Sequence, residues 1–236
     1  MTAPFSGRKV ERLKHRTFFH IFYGNSKYLR KFMNIEKLKL VEQEFLAKFP
    51  ESFNSPEMIE IGKKHKMNKM VEFAQEHFSP DKFDKPEVIV QDMIAMVTKS
   101  SMVSLFEKPK YRDYVKTMAF EQKEFLVSSL YEFLHGNQEK GFSMMVEILD
   151  QVKLAKWTLI TVFGVYYYPT KEIFVKPTTT KNIIAYLELN DLVYKPRPTY
   201  DFYKKYRAYI NKMKKQVDKS LSPNNAAFTG FLMFSM

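Results

Sequence analysis

The chain contains no cysteine. Disulfides, thiolate metal sites and a cysteine nucleophile are therefore excluded, and a reducing compartment, the cytoplasm, is the expected location. Long apolar runs are missing too. The longest stretch, residues 159–168, is broken by Thr161 and Gly164 and is too short to span a bilayer. Residues 1–14 carry no apolar run, so no secretory signal is read there. There is no internal repeat and no low-complexity segment. No Gly-x-Ser-x-Gly elbow supports serine catalysis. The five histidines, His15, His20, His65, His77 and His135, form no His-x-x-x-His pair and no familiar ligand spacing. Carboxylates recur at Glu121/Glu124 and Glu147/Asp150, in expected helices without a strand-borne aspartate. Together these absences predict no catalytic centre, no metal and no cofactor.

What the chain does have is positive charge, with a formal net value of +12 over 236 residues. Arginine is scarce, 7 against 31 lysines. The charge is uneven. Residues 8–39 hold +8 and residues 195–215 hold +7, so the remainder sums to −3. Two basic blocks on a near-neutral body point to an acidic partner, with DNA or RNA first. A compositional bias toward Lys, Phe, Tyr, Asn and Ile gives the same counts without selection for binding.

The apolar share of 45% is ordinary for a globular protein, and the aromatic share of 16% is high. Helical spacing of apolar residues is read over 8–23 and 36–49. Ser55-Pro56-Glu57 is a helix start, with serine as cap and proline in the first turn, for a helix running to Phe78. Further helices are expected over 86–98, 111–134 with Gly136 as its stop, and 142–156. From Trp157 the composition turns β-branched and aromatic. Residues 157–168 and 173–176 read as the two strands of a hairpin joined by a turn at 169–172, with a buried helix as the competing reading of the first half. Thr178, Thr179 and Thr180 supply caps for a short helix over 182–189. Pro196 and Pro198 stiffen a link, and a helix is read over 200–218. Asn224 caps a last apolar segment expected to dock on the hairpin.

The resulting fold class is mainly α. A multi-helix N-terminal region, 1–156, is followed by a small α+β C-terminal region, 157–236, made of a hairpin plus helices and packed on the first.

Within the second region, Phe174-Val175-Lys176-Pro177 followed by Thr180-Lys181, together with the aromatic run from Trp157, resembles the C-terminal half of a family of uncharacterised bacterial proteins. That family carries a Phe-x-Lys-Pro-x-x-Thr-Lys motif, a proline-rich link and a tyrosine-bearing helix. The resemblance covers about the last 80 residues and implies an intracellular bacterial or phage-borne protein. The family's apolar ending usually holds an acid and a tryptophan, and residues 223–232 have neither.

The candidate contacts follow from these elements. Lys176, Thr178, Thr180 and Lys181 lie where a strand is expected to end and a helix to begin. Free amides at a helix start attract anions, and hydroxyls and ammonium groups add donors. The segment is no Walker loop, since no glycine permits close backbone approach. Three threonines acting only as helix caps are the plainer alternative. Arg197, Lys204, Lys205 and Arg207 line the basic side of the 200–218 helix, with Lys212, Lys214 and Lys215 beyond them. A merely solvated helix face competes with that reading. No membrane partner is expected, since the basic helices spend their apolar sides on the core.

The leading expectation is a non-catalytic nucleic-acid-binding protein that contacts phosphates, as a subunit of a larger bacterial or phage assembly. A protein–protein interaction module or homo-oligomer, and a nuclease with dispersed residues, stay open beside it.

Overall fold

The structure, a computed structural model, describes residues 33–236. The helix expected over 8–23 and most of the first basic block lie outside the described residues. What is described is built of α-helices and short 3-10 turns, with no strand among the described residues.

Helix α1 spans Ile35–Lys48, capped by the Asn34 side chain accepting from the Lys37 amide at 3.0 Å. Leu38, Val41 and Phe45 face inward, as the spacing predicts. The helix expected from Ser55 to Phe78 is two helices, α2 at Pro56–His65 and α3 at Met67–His77. Lys66 breaks it by adopting the left-handed region, φ 47° and ψ 37°. No glycine, proline or asparagine marks that break in the sequence.

Helix α4, Pro86–Lys99, matches its expected span. The single helix expected over 111–134 is α5 at Glu107–Thr117 and α6 at Phe120–His135. Met118 and Ala119 are extended between them, and the Gln122 side chain accepts from the Ala119 amide at 3.0 Å. Helix α7, Gln138–Asp150, follows after only Gly136 and Asn137. A connection that short forces α6 and α7 to lie antiparallel in contact. Gly141 of α7 sits directly on the backbone of α6. A Cβ there would lie 2.1 Å from the Phe133 nitrogen and 2.6 Å from the Ser129 carbonyl oxygen.

The largest correction concerns residues 157–176. Trp157–Tyr167 is a helix, α8, and the hairpin does not exist. All its residues from Trp157 to Tyr166 are buried. A segment enclosed on every side has no polar face, so neither a helical nor a strand period shows in its sequence. Its β-branched threonine is accommodated by back-bonding: Thr161 Oγ1 donates to the Trp157 carbonyl at 2.7 Å. The same hydroxyl accepts the Val175 amide at 3.0 Å. Ile173, Phe174 and Val175 are buried beside α8 without a ladder partner. The C-terminal region is therefore all helix and loop, not α+β.

Helix α9, Pro177–Tyr186, begins earlier than expected, with Pro177 in its first turn and Lys176 at the cap. Thr178, Thr179 and Thr180 lie inside the first turn and do not cap it. Helix α10 spans Tyr200–Met213, followed by 3-10 turns at Lys214–Gln216 and Lys219–Leu221. Helix α11, Asn225–Phe234, is capped by Asn224, whose side chain accepts from the Ala227 amide at 2.8 Å. It docks between α1, α9 and α10. Phe231 meets Phe45 edge-on at 5.2 Å between centroids.

The buried apolar residues form one cluster that runs from Met33 to Leu232. Inside it, the Tyr111 hydroxyl is buried without a hydrogen-bond partner. A hydroxyl taken from water and left unpaired costs about 1–3 kcal/mol. Tyr111→Phe is expected to raise stability by roughly 1 kcal/mol. The check is the urea midpoint at unchanged slope, and a lower midpoint would show that the hydroxyl is satisfied after all.

Candidate functional site

The second basic block folds onto α10 and its surroundings. Phe202, Tyr203, Tyr206, Tyr209, Ile210 and Met213 face the core. Asp201, Lys204, Lys205 and Ala208 face out, and Lys212 is half-buried one turn further on. Lys205 and Lys212 are seven residues apart, two turns along one face. Between them stands Ala208, whose single methyl leaves a shallow notch lined by Lys205, Ala208, Tyr209 and Lys212. The Tyr209 hydroxyl donates to Asp191 at 2.5 Å. Burial first, and then that carboxylate, push the phenol's pKa up, so it stays a donor. Lys205 Nζ lies 3.1 Å from Asp201 on the exposed surface. An exposed i,i+4 pair is worth only about 0.3–0.5 kcal/mol, so the ammonium is readily given over to a phosphate. Lys204 and Lys212 have no carboxylate in ion-pair range among the described residues.

Lys181 belongs to the same side. Its ammonium lies 6.0 Å from the Tyr194 ring centroid, and Tyr194 packs edge-on against Phe202 of α10 at 5.9 Å. Residues 191–194 thus sit between Lys181 and the notch. Lys204, Lys205 and Lys212 form a strip on the outer side of α10, and Lys181 stands beyond residues 191–194.

The other expected contacts are placed differently. Thr180 is buried, and its side chain hydrogen-bonds the Tyr206 phenol. Thr178 is exposed at the start of α9. Lys176 is exposed near His65, whose imidazole is pushed down by burial and then by the Lys176 charge. Arg197 is paired with Asp150, Nε to Oδ2 at 2.9 Å.

Arg207 turns inward. Its guanidinium donates to Glu172 and, at 2.7 Å, to Gln138 Oε1. The Tyr203 hydroxyl donates to the other Glu172 oxygen at 2.5 Å. Burial alone would lower the Arg207 pKa, but the Glu172 hydrogen bond and charge reverse it and the net direction is up. The Tyr203 phenol is pushed up by burial and by Glu172, so it keeps its proton. Lys214 is likewise internal, donating to the Thr170 carbonyl at 2.8 Å and to Asn225 Oδ1 at 2.5 Å, with its pKa lowered by burial.

The sequence did hold a signal for both. Arg207 stands four residues after Tyr203, and Lys214 four after Ile210, so helical spacing sets both beside the apolar stripe. Glu172, which reads as a turn residue, is the acceptor that balances Arg207. Residues 169–172 are further held by Asn225, whose side-chain amide donates to the Glu172 carbonyl at 2.9 Å. This knot fixes a loop, and its donors and acceptors are already matched.

Among the described residues no group of three or more His, Asp or Glu side chains is placed to hold a metal ion. No helix among them is long and apolar enough to cross a membrane. Compared with known protein families, curated proteins and solved structures, the chain matches none. The resemblance at Phe174–Lys181 rests on those short motifs alone.

Proposed function

We propose that the protein binds nucleic acid through its phosphates, using Lys181, Lys204, Lys205 and Lys212. The observation that carries this reading is the shallow notch on α10 at Ala208, flanked by Lys205 and Lys212. Ammonium groups act as point charges and suit backbone phosphates better than base edges, so contact is independent of sequence. Arg207 takes no part, since Glu172 balances its charge, and Lys214 is held by the Thr170 carbonyl and the Asn225 side chain.

The test is fluorescence anisotropy with single- and double-stranded DNA and with RNA over a salt series. Each lost phosphate contact on duplex DNA makes the log–log salt slope shallower by about 0.9. Lys205→Ala with Lys212→Ala is expected to reduce the slope by roughly 1.8 and to weaken binding at low salt on the order of tenfold. Wild-type protein that binds none of the three polymers at low salt, or a variant with an unchanged slope, overturns the proposal.

A further inference from the structure

A second surface lies at the start of α8. The connection between α4 and α5 presents Leu105 and Phe106 side by side, 79% and 82% exposed. These are the two most exposed large apolar side chains among the described residues. Their exposure is held in place by the fold. The Ser104 hydroxyl accepts the Phe106 amide at 3.2 Å, and its carbonyl accepts the Glu107 and Lys108 amides at 3.0 and 3.2 Å. Upstream, Val103 is buried, and Ser100 Oγ sits 3.0 Å from the Tyr166 hydroxyl.

Two other segments meet this turn. Thr158 Oγ1 of α8 donates to Glu107 Oε2 at 2.8 Å, which joins α5 to the start of α8. Trp157 Nε1 donates to the Lys195 carbonyl at 2.8 Å, and Arg197 pairs with Asp150 at the end of α7. Residues 151–156 and 193–197 therefore border the same end of the molecule. They add exposed Val152 and Val193, the latter 71% exposed. Lys153 holds a left-handed backbone there, φ 59°.

The charge at this end is net positive, with lysines outnumbering the acids. Lys108, Lys110, Lys153, Lys156 and Lys195 have no carboxylate in ion-pair range among the described residues. The nearby acids are engaged, Glu107 with Thr158, Asp150 with Arg197 and Asp113 with Arg112.

We propose that this end docks on an anionic lipid surface, with Leu105 and Phe106 inserted and the lysines set against the headgroups. A protruding apolar pair at an end of the molecule that also carries unpaired lysines complements a bilayer, which offers hydrocarbon directly beneath negative charge. A protein partner would instead have to supply a pocket for the pair and a ring of carboxylates around it. The side chains tested here, Leu105 and Phe106, are not those tested at the α10 notch, so each reading can fail alone.

The experiment is co-sedimentation of the full chain with vesicles of phosphatidylcholine alone and of phosphatidylcholine with phosphatidylserine, near 0.1 M salt. Binding is expected only with the anionic lipid. Leu105→Ser with Phe106→Ser should lower the partition coefficient by at least about tenfold, since most of the insertion area is lost. Both side chains are exposed, so the fold is retained and circular dichroism checks it. Nucleic-acid affinity of that variant should be unchanged, and Lys205→Ala with Lys212→Ala should leave vesicle binding unchanged. Three outcomes overturn the proposal. They are no binding to anionic vesicles, binding that the serine variant retains, or a wild-type dimer that the serine variant dissolves without any lipid binding.

Discussion

Gly141→Ala is expected to be the most damaging small substitution in the chain. The added methyl would fall 2.1 Å from the Phe133 nitrogen, 2.6 Å from the Glu132 carbonyl carbon and 2.6 Å from the Ser129 oxygen. All three are backbone atoms of α6, so no side-chain rotation relieves the clash. The helices must separate, and buried neighbours such as Leu130, Phe133 and Met145 lose contact as they do. Overpacking a filled core costs about 1–3 kcal/mol, and a backbone obstacle places this case at or above the upper end. Gly62→Ala is the control. A methyl there meets nothing within 4 Å, inside α2. It should be neutral or stabilising by up to about 1 kcal/mol, because alanine favours the helix. Urea unfolding of the two variants decides it. Equal stabilities would mean that α6 and α7 are not so closely apposed.

The second large effect is at Glu172. This carboxylate is buried and receives both the Tyr203 hydroxyl and the Arg207 guanidinium. Glu172→Ala leaves a partly buried cation and a buried phenol without their acceptor. Removing one partner of a buried pair costs about 3–5 kcal/mol. Arg207 keeps Gln138 and its side chain is 19% exposed, so the lower end is expected. Removing the cation as well, in Glu172→Ala with Arg207→Met, should recover a large part of the loss. The double-mutant cycle measures that coupling directly. Additive losses, or a loss below about 1 kcal/mol for Glu172→Ala, would show that the knot does not hold the loop. Nucleic-acid binding by Arg207→Met should persist, since its charge does not reach the α10 strip.

What was legible in the sequence followed from amphipathicity. Helices α1, α4 and α10 each bury one face; the spans of α1 and α4 were read closely, while α10 was read to 218 and ends at Met213. Helix α8 was legible only as the reading competing with a strand, because Ile160, Val162 and Val165 favour strands locally while burial on all sides erases the period. The breaks at Lys66 and at Met118-Ala119 were hidden for another reason. Ordinary residues hold those conformations under tertiary packing, with no turn residue to announce them. At the candidate site, counting charges overstated the surface. Arg207 and Lys214 add to the net charge yet are half-buried and turned to partners within the fold. Lys212 stood in the right place but gained meaning only beside Ala208. The Leu105-Phe106 pair carried no warning, since two adjacent apolar residues read as core until the surrounding turn is seen.

Helix α11 is made after every element it packs against. Asn225 ties down residues 169–172, and Phe228, Phe231 and Leu232 complete the cluster that begins at Met33. During synthesis the earlier helices must therefore wait with an open seam. Until α11 leaves the ribosome, the underside of α1 and the Glu172 loop are the surfaces a chaperone would find.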